Sequence, residues 1–245
     1  MRVKNSNEKL DYQETKRFFS NRADKYNEDN PYSVTMYQDW HPELVRERNK
    51  HEVHKLLPLL KFDENSRALD LACGIGRWAD AIPCKIAEYC GIDFSEELIA
   101  IAKKRNTKPE AEFYSGELIS LENILSSNGK GNFNRIFMIG IMMYLNDDDI
   151  ISILDQAEKR CGEHTVFCIR EPIGLGDRLT LKDFFSEELN DNYNAIYRTD
   201  DEIKNILGKT LLLNGFSITH EGFLFDDDSL NNRKETSQYF YILER

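Results

Sequence analysis

Three acidic side chains recur at a regular interval in the first half of the chain, close to small or apolar residues. Asp70 precedes residues 71–76, which contain a Gly-x-Gly pair, and Asp93 and Glu117 follow further short apolar runs. The two glycines would let the backbone turn tightly and approach a ligand closely. Carboxylates around such a loop favour a nucleoside-like ligand that carries an ammonium group and no phosphate, because they would repel a pyrophosphate.

The elements that must position these acids are visible as an alternation of short strands and helices. Asp70, Asp93, Glu117 and Gly140 close four strand-like runs and are 23 or 24 residues apart. This spacing fits one strand, one helix and two short loops, so it predicts βαβ units in a parallel sheet. All four positions would lie at the carboxyl edge, where such sheets bind ligands. The predicted strands are 67–71, 86–92, 111–115 and 133–139, and the predicted helices lie near 76–82, 95–106, 118–127 and 146–160.

Further elements precede and extend this alternation. Residues 6–26 have a helix-like pattern with one apolar side, and a second helix begins at Pro42, since proline suits a first helical turn. A fifth predicted strand, 165–169, leads into Arg170 and Glu171. That strand would deliver two charged side chains to the same edge of the sheet.

The last third of the chain combines an insertion with a helix and two β-like runs. The insertion, 173–198, is rich in aromatic residues, and a helix near 200–213 follows it with Thr199 as its cap. The β-like runs are 216–225 and 238–243, and their connection is too short and polar for a packed crossover helix. We therefore expect the last two strands to be antiparallel.

Together these elements predict an α/β fold with a seven-stranded, Rossmann-like, mostly parallel sheet. Helices would cover both faces, and a C-terminal antiparallel hairpin would complete the sheet. We expect one domain, because 245 residues can form a single large core. Its expected parts are an N-terminal helical segment (1–60), the cofactor-binding core (61–171), a substrate-side insertion (172–198) and the C-terminal helix and hairpin (199–245).

Composition limits the partners and the location of the chain. The formal net charge of −11 argues against a nucleic-acid partner, which would need a concentrated Lys/Arg surface. No apolar run is long enough to span a bilayer, and the N-terminus lacks the apolar core of a secretory signal, so we predict a cytoplasmic protein without a membrane role. The five cysteines include no C-x-x-C pair, which indicates reduced thiols and no metal site. No oligomeric state follows from the sequence.

The sequence is also compatible with two other functions. Residues 74–79 satisfy the G-x-G-x-x-A version of the dinucleotide fingerprint, and Asp93 lies where a ribose-binding acid is expected, so an NAD-linked oxidoreductase is an alternative. The acids at Asp70 and Glu117 argue against it because they would face a pyrophosphate. A non-catalytic, cofactor-binding protein of the same fold is a further alternative, since no catalytic base is obvious.

Residues 66–171 resemble the class I S-adenosylmethionine-dependent methyltransferases, whose first motif, an acid followed by x-x-C/G-x-G, is matched from Asp70 to Gly76. The resemblance implies that this motif holds the methionine part of the cofactor, that Asp93 takes the ribose hydroxyls, and that Glu117, where members often have Asp, lies near the adenine. The end of the fourth strand would lie near the methyl-bearing sulfur. The implied cofactor-binding residues are Asp70, Ala72, Cys73, Gly74, Gly76, Asp93, Phe94, Gly116, Glu117, Leu118, Ile139 and Gly140.

Methyl transfer from a sulfonium is an in-line displacement, so the protein must align the acceptor and handle one proton if the acceptor is a hydroxyl. The candidate bases are Glu171, Tyr144, His41 and Tyr37. A structural alternative for Glu171 is a buried pair with Arg170 that fixes the loop. An amine acceptor would need no dedicated base.

The acceptor should face the two regions outside the core, namely residues 1–60 and the insertion. The resemblance to methyltransferases implies that residues 1–60 form a helical lid, which folds over the cofactor. Residues 32–48 resemble methyltransferases of bacterial surface-polysaccharide pathways, including those that modify capsules. This resemblance implies a small polar acceptor, such as a nucleotide-activated sugar or a phosphoramidate precursor. The candidate phosphate contacts are Arg46, Arg48, Arg170 and Arg178.

Overall fold

The computed structural model describes residues 1–5, 8–187, 189–231 and 233–245. In chain order the strands are β1 (Arg2–Lys4), β2 (Arg67–Leu71), β3 (Glu88–Asp93), β4 (Ala111–Ser115), β5 (Phe133–Ile139), β6 (Cys161–Gly174), β7 (Leu179–Ser186), β8 (Asp191–Tyr197), β9 (Ser217–Phe223) and β10 (Thr236–Glu244). The α-helices are α1 (Tyr12–Ala23), α2 (Ser33–Met36), α3 (Pro42–Leu56), α4 (Arg77–Ala81), α5 (Glu96–Arg105), α6 (Leu121–Ser127), α7 (Asp147–Glu158) and α8 (Asp200–Lys209).

The main sheet has seven strands in the order β4-β3-β2-β5-β6-β10-β9. The first five are parallel to one another, whereas β10 runs antiparallel to both β6 and β9. This arrangement confirms the predicted seven-stranded, Rossmann-like sheet and its antiparallel end. The chain order reverses between β2 and β5, so the carboxyl ends of these two strands flank the crevice in which open α/β sheets bind ligands.

Apolar side chains form a core on each face of the main sheet. On one face, Leu56 of α3 and Trp78 of α4 are buried, and the Trp78 ring stacks on Phe137 at 5.2 Å. On the other face, α6, α7 and α8 bury an apolar stripe that includes Leu154 and Ile203. The Thr199 cap predicted for α8 is confirmed as a capping box with Glu202.

A second, three-stranded sheet has the order β1-β7-β8 and joins the N-terminus to the insertion. The N-terminal segment contains the helices α1, α2 and α3 and, in addition, the short strand β1, whose Val3 pairs with Thr180 of β7 in antiparallel register. Only three residues form β1 and their partner lies far along the chain, so no local pattern could reveal the strand. The fifth predicted strand is also longer than expected, since β6 extends to Gly174 at the start of the insertion.

No helix of the described ranges is long and apolar enough to cross a bilayer. The same part of the chain contains no group of three or more His, Cys, Asp or Glu side chains placed to hold a metal ion.

Candidate active site

The glycine loop, residues 72–76, joins β2 to α4 at the carboxyl edge of the sheet. Its backbone is left-handed at Ala72, Gly74 and Gly76, with φ of 67°, 54° and 78°. Glycine adopts these angles readily, whereas Ala72 is held there by its tertiary contacts. The amides of Ala72 and Cys73 both donate to the carbonyl of Ile92, at 2.8 and 3.0 Å, which ties the loop to β3.

Asp70 lies on β2 just before this loop and is only 2% exposed. The Tyr89 hydroxyl donates a hydrogen bond to its carboxylate, and burial raises the pKa of Asp70 to about 7. A buried carboxylate is stabilised in its charged form by a cation. This site therefore fits the ammonium group of a methionine-derived cofactor, and the left-handed loop beside it fits a closely approaching ligand.

Asp93 is buried at the end of β3 and holds the glycine loop in place. Its two carboxylate oxygens accept hydrogen bonds from the amides of Gly74, at 2.9 Å, and Ser95, at 3.0 Å. Burial raises the pKa of Asp93 to about 6. A ribose contact by Asp93 stays a prediction, because the structure places both oxygens on backbone amides and Asp93 lines neither of the two cavities described next.

Two adjoining cavities follow the carboxyl edge of the main sheet. The first, here called the polar cavity, has an empty volume of about 1270 Å³ including its open mouth. The second, the apolar cavity, has about 690 Å³. Ala72 and Tyr144 line both, so the cavities meet at these two residues. The predicted residues that line the polar cavity are Tyr37, Asp70, Ala72, Cys73, Gly74, Ile139, Gly140 and Tyr144.

The apolar cavity lies between α1 and the loops that follow β3 and β4. Three of the predicted cofactor-binding residues, Phe94, Glu117 and Leu118, line it, and their contact with an adenine stays a prediction. The Phe94 ring packs edge-to-face on Phe19 of α1, with centroids 5.7 Å apart. The Glu117 carboxylate forms an ion pair with Lys16, which links the loop to α1 at the edge of the cavity.

Gly76 and Gly116 line neither cavity, but both shape the loops that form the site. Gly76 is the residue that precedes α4, and its left-handed backbone ends the glycine loop. The Gly116 amide donates to the carbonyl of Asp93 at 2.9 Å. A Cβ atom on Gly116 would lie 2.5 Å from Cδ1 of Ile124, so a larger residue would have to shift the Ile124 side chain of α6.

Residues 33–39, which include α2, cover the glycine loop. A Cβ atom on Gly74 would lie 2.7 Å from Cγ2 of Thr35, so the two segments are in close contact. The cover is held by Arg22 of α1, which is 1% exposed and donates to both carboxylate oxygens of Asp39 at 2.6 Å and to the carbonyl of Val34 at 3.3 Å. This buried, bidentate pair fixes the cover on α1.

The hydroxyl groups of Tyr37 and Tyr144 are hydrogen-bonded to each other across the polar cavity. Tyr37 belongs to the cover and Tyr144 to the turn that follows β5, so the pair joins the N-terminal segment to the core. Burial raises the pKa of both phenols, and both are therefore neutral near pH 7. They can orient an acceptor by hydrogen bonding but are weak bases.

The structure gives Glu171 a different position from the one expected of a general base. Its side chain is 1% exposed and accepts hydrogen bonds from three successive amides, those of Ile141 (2.7 Å), Met142 (2.9 Å) and Met143 (3.3 Å). Burial raises its pKa to about 6, yet it lines neither cavity. Glu171 therefore holds the turn that carries Tyr144, and a role as base is not supported.

The structural alternative, an Arg170–Glu171 pair, is also wrong. Arg170 pairs with Glu52 of α3, with Nη2 2.9 Å from Oε2. Successive residues of a strand point to opposite faces of the sheet, so neighbours on β6 cannot share one site.

The remaining predicted residues divide between the surface and the cavities. His41 is exposed where α3 begins, and it lines neither cavity. Arg46 is exposed beside Glu43. Arg178 pairs with Asp147 and Glu202 away from both cavities. Arg48 and Arg170 do line the polar cavity.

Sequence reasoning missed several side chains that form the polar cavity. Glu52, Arg77, Tyr193, Tyr197 and Arg233 all line it. Arg77 directly follows the glycine loop, so its place could have been anticipated from the motif. The others come from a helix interior, the insertion and the loop before β10, and no local pattern distinguishes them from ordinary core or surface residues.

The sheet order, the glycine loop after β2 and the buried acid before it define the class I methyltransferase fold. Residues 68–162 match a family model described as a methyltransferase domain. A search of curated proteins found no match.

Solved structures with the same fold include several methyltransferases. One is a phosphoethanolamine N-methyltransferase 1 from Haemonchus contortus, with 15% identity and a TM-score of 0.68 over 96% of this chain and 50% of that one. Another is the magnesium protoporphyrin IX methyltransferase of Synechocystis, with 15% identity and a TM-score of 0.64 over 96% and 100%. A third is the N-methyltransferase NodS of Bradyrhizobium japonicum, with 11% identity and a TM-score of 0.60 over 95% and 98%.

The chain thus contains a methyltransferase domain over residues 68–162, and it has the fold of the class I S-adenosylmethionine-dependent methyltransferases. It is an enzyme of the transferase class, and S-adenosylmethionine is its cofactor. The nicotinamide and non-catalytic alternatives are thereby set aside.

Proposed function

We propose that this protein transfers the methyl group of S-adenosylmethionine to an oxygen or nitrogen atom of a small polar acceptor. We further propose that the acceptor is a precursor of a bacterial surface polysaccharide such as a capsule, for example a nucleotide-activated sugar or a phosphoramidate. The resemblance of residues 32–48 supports the pathway, and the polar lining of the cavity supports the acceptor class.

The observation that carries this proposal is the junction of the two cavities. Ala72 and Tyr144 line both of them, and the Tyr37–Tyr144 hydroxyl pair is at this point. A cofactor with its adenine in the apolar cavity and its ammonium group beside Asp70 would direct its reacting end into the polar cavity. An acceptor hydroxyl or amine could then hydrogen-bond to the phenols at the junction.

In this proposal S-adenosylmethionine supplies an electrophilic methyl group, and the residues of the chain bind, orient and shield the reactants. Asp70 and the glycine loop hold the methionine part, while Phe94, Glu117 and Leu118 hold the adenine. Asp93 keeps the loop in its binding conformation through the Gly74 amide. The cover over Gly74 excludes water, which strengthens electrostatic interactions inside the site.

The N-terminal segment is proposed to act as a lid that opens for ligand exchange. Its contacts around the site include the Thr35–Gly74 approach, the Tyr37–Tyr144 pair and the Lys16–Glu117 ion pair. Phe18 and Phe19 of α1 are buried in the apolar core and would stay in place, so the part proposed to move, as loop closure over an active site requires, is the cover.

The test combines binding and turnover. Calorimetry should detect S-adenosylhomocysteine binding in the micromolar range, and methyl-labelled S-adenosylmethionine should label a member of a panel of nucleotide-activated sugars and phosphoramidate precursors. Mass spectrometry would then locate the methyl group on oxygen or nitrogen. Cofactor binding without transfer to any small polar compound would contradict the proposed acceptor class.

A further inference from the structure

The polar cavity is rich in arginine, although the chain as a whole has a net charge of −11. The charged side chains that line it, among the residues that the structure describes, are Arg48, Glu52, Asp70, Arg77, Arg170 and Arg233. Four guanidinium groups thus face two carboxylates, and one of these, Asp70, has its pKa raised to about 7 by burial. Such an imbalance in a partly enclosed site favours an anionic ligand.

Glu52 compensates part of this positive charge. Its Oε1 accepts from Arg77 at 2.6 Å and its Oε2 pairs with Arg170 at 2.9 Å, so a single carboxylate serves two cations. Within the described ranges, Nε of Arg170 is buried and has no hydrogen-bond partner. Arg77 and Arg170 carry two positive charges and Glu52 carries one negative charge, so one positive charge has no counter-charge from this carboxylate.

Arg233 has a different environment at the other end of the cavity. Its guanidinium lies over the rings of Phe184 and Tyr193, at 5.4 and 5.8 Å from their centroids, and donates to the Tyr193 hydroxyl. Among the described side chains it forms no ion pair with a carboxylate. Aromatic faces stabilise a cation but do not neutralise it, so Arg233 remains able to bind an anion.

The position of Arg233 assigns it to the acceptor and not to the cofactor. It belongs to the loop before β10 and rests on Phe184 of β7 and Tyr193 of β8, which are the insertion strands. The cofactor loop and Asp70 lie on the core side of the same cavity. Asn231, which also lines the cavity, accepts at Oδ1 from Ser237 Oγ (3.3 Å) and from the Gln238 amide (3.1 Å), so its carboxamide nitrogen is a further donor beside Arg233.

We propose that the acceptor carries an oxyanion group of the phosphate type, which Arg233 binds at the insertion end of the polar cavity. Its planar pair of N–H donors matches the geometry of phosphate oxygens. The rest of the acceptor would extend from Arg233 toward the Tyr37–Tyr144 pair, where its nucleophilic atom meets the methyl group. This inference deepens the proposed function and rests on it, since it assigns the charge of the acceptor at the same site.

The experiment uses the full chain saturated with S-adenosylhomocysteine and inorganic phosphate as the probe. Phosphate is titrated against chloride at constant ionic strength, and binding is followed by phosphorus NMR and by the thermal midpoint. We expect saturable millimolar binding by the unmodified protein and at least a tenfold weaker affinity in Arg233→Gln. Arg46→Gln, an exposed arginine outside both cavities, is the matched control and should bind phosphate unchanged. The affinity for S-adenosylhomocysteine should stay within twofold in both variants.

Arg233→Lys shows whether weaker binding in Arg233→Gln reflects a loss of structure. Lysine keeps the positive charge over the two aromatic rings but lacks the paired N–H donors of the guanidinium group. We expect it to melt like the unmodified protein and to bind phosphate with an intermediate affinity. A parallel titration with acetate identifies the kind of anion. Preference for acetate, again dependent on Arg233, would contradict the phosphate type and identify the group as a carboxylate.

Three results would overturn the proposal. They are the absence of phosphate and acetate binding by a protein that binds S-adenosylhomocysteine, equal phosphate binding by Arg233→Gln, and a parallel loss of S-adenosylhomocysteine affinity in that variant, which would place Arg233 at the cofactor. Phosphate binding through Arg233 without any cofactor binding would contradict the proposed function alone.

Discussion

The two sides of the active site differ in how they are built and in the charge they present. The cofactor side consists of strand ends and loops between Asp70 and Tyr144, and it combines backbone amides with buried carboxylates. The acceptor side is assembled from the cover, α3, the end of β6, the insertion and the loop before β10, and it presents guanidinium and phenol groups. Apart from its contacts with α1 and the cover, one continuous part of the chain thus forms the first side, and distant segments form the second.

The difference indicates a division of tasks by charge. Carboxylates such as Asp70 suit a cofactor with an ammonium and a sulfonium group, whereas Arg233 suits an anionic acceptor. If the two sides are independent, a change on one should leave ligand binding on the other unaltered. The predictions below change the cofactor side, the junction turn and the cover, and they measure what each contributes to cofactor binding, stability or turnover.

The largest expected effect is on the cofactor side. Asp70→Asn removes the buried negative charge while keeping a similar shape and a partner for the Tyr89 hydroxyl. We expect about a 100-fold loss of S-adenosylhomocysteine affinity by calorimetry, close to 3 kcal/mol, because a buried charge-assisted contact is lost. Asp29→Asn, an exposed residue of the loop before α2, is the control. Unchanged affinity in Asp70→Asn would show that the ammonium group binds elsewhere.

Glu171→Gln tests whether Glu171 holds the turn that carries Tyr144 or acts as a general base. The oxygen of the neutral amide can still accept from the amides of Ile141 and Met142, but its NH2 group cannot accept from the amide of Met143, so the free energy of unfolding should fall by about 2 kcal/mol. Turnover should fall less than tenfold and keep its pH profile. Glu163→Gln, an exposed residue of the same strand, is the control. A loss of turnover above 100-fold with unchanged stability would restore Glu171 as the catalytic base.

Cofactor affinity should depend on pH through Asp70. Its pKa in the folded protein is about 7, above the unfolded value, so the folded protein takes up a proton as pH falls through 7. Affinity for S-adenosylhomocysteine should therefore weaken, approaching roughly tenfold per pH unit below 7, and level off above pH 8. Without ligand the sign is reversed, since ionisation of this buried group lowers stability between about pH 4 and 7. A flat affinity profile in Asp70→Asn would confirm the assignment, and an equally steep one would refute it.

The smallest expected effect concerns the contact between the cover and the glycine loop. Gly74→Ala adds a methyl group 2.7 Å from Cγ2 of Thr35 and at a left-handed φ, so cofactor affinity should fall about fivefold, or roughly 1 kcal/mol. Thr35→Ser removes that methyl group of threonine. The double variant should regain part of the affinity in calorimetry, whereas Thr35→Ser alone should bind normally. If the double variant regains nothing, backbone strain and not the cover limits binding.

The sequence by itself determined the cofactor side and most of the main sheet. The predicted strands 67–71, 111–115 and 133–139 coincide with β2, β4 and β5. These elements follow from local periodicity. A parallel sheet places the carboxyl ends of its strands at one edge, whatever the packing of the helices. Asp70 and the glycine loop could therefore be located without knowledge of any tertiary contact.

Only the tertiary structure decided the acceptor side. The pairing of β1 with β7, the Glu52 carboxylate between two arginines and the stacking of Arg233 on the insertion strands join residues that are far apart in the chain. The structure likewise turned Glu171 toward backbone amides and left His41 on the surface. Such outcomes depend on which side chains come into contact when the elements pack, and the local pattern of the sequence does not specify these contacts.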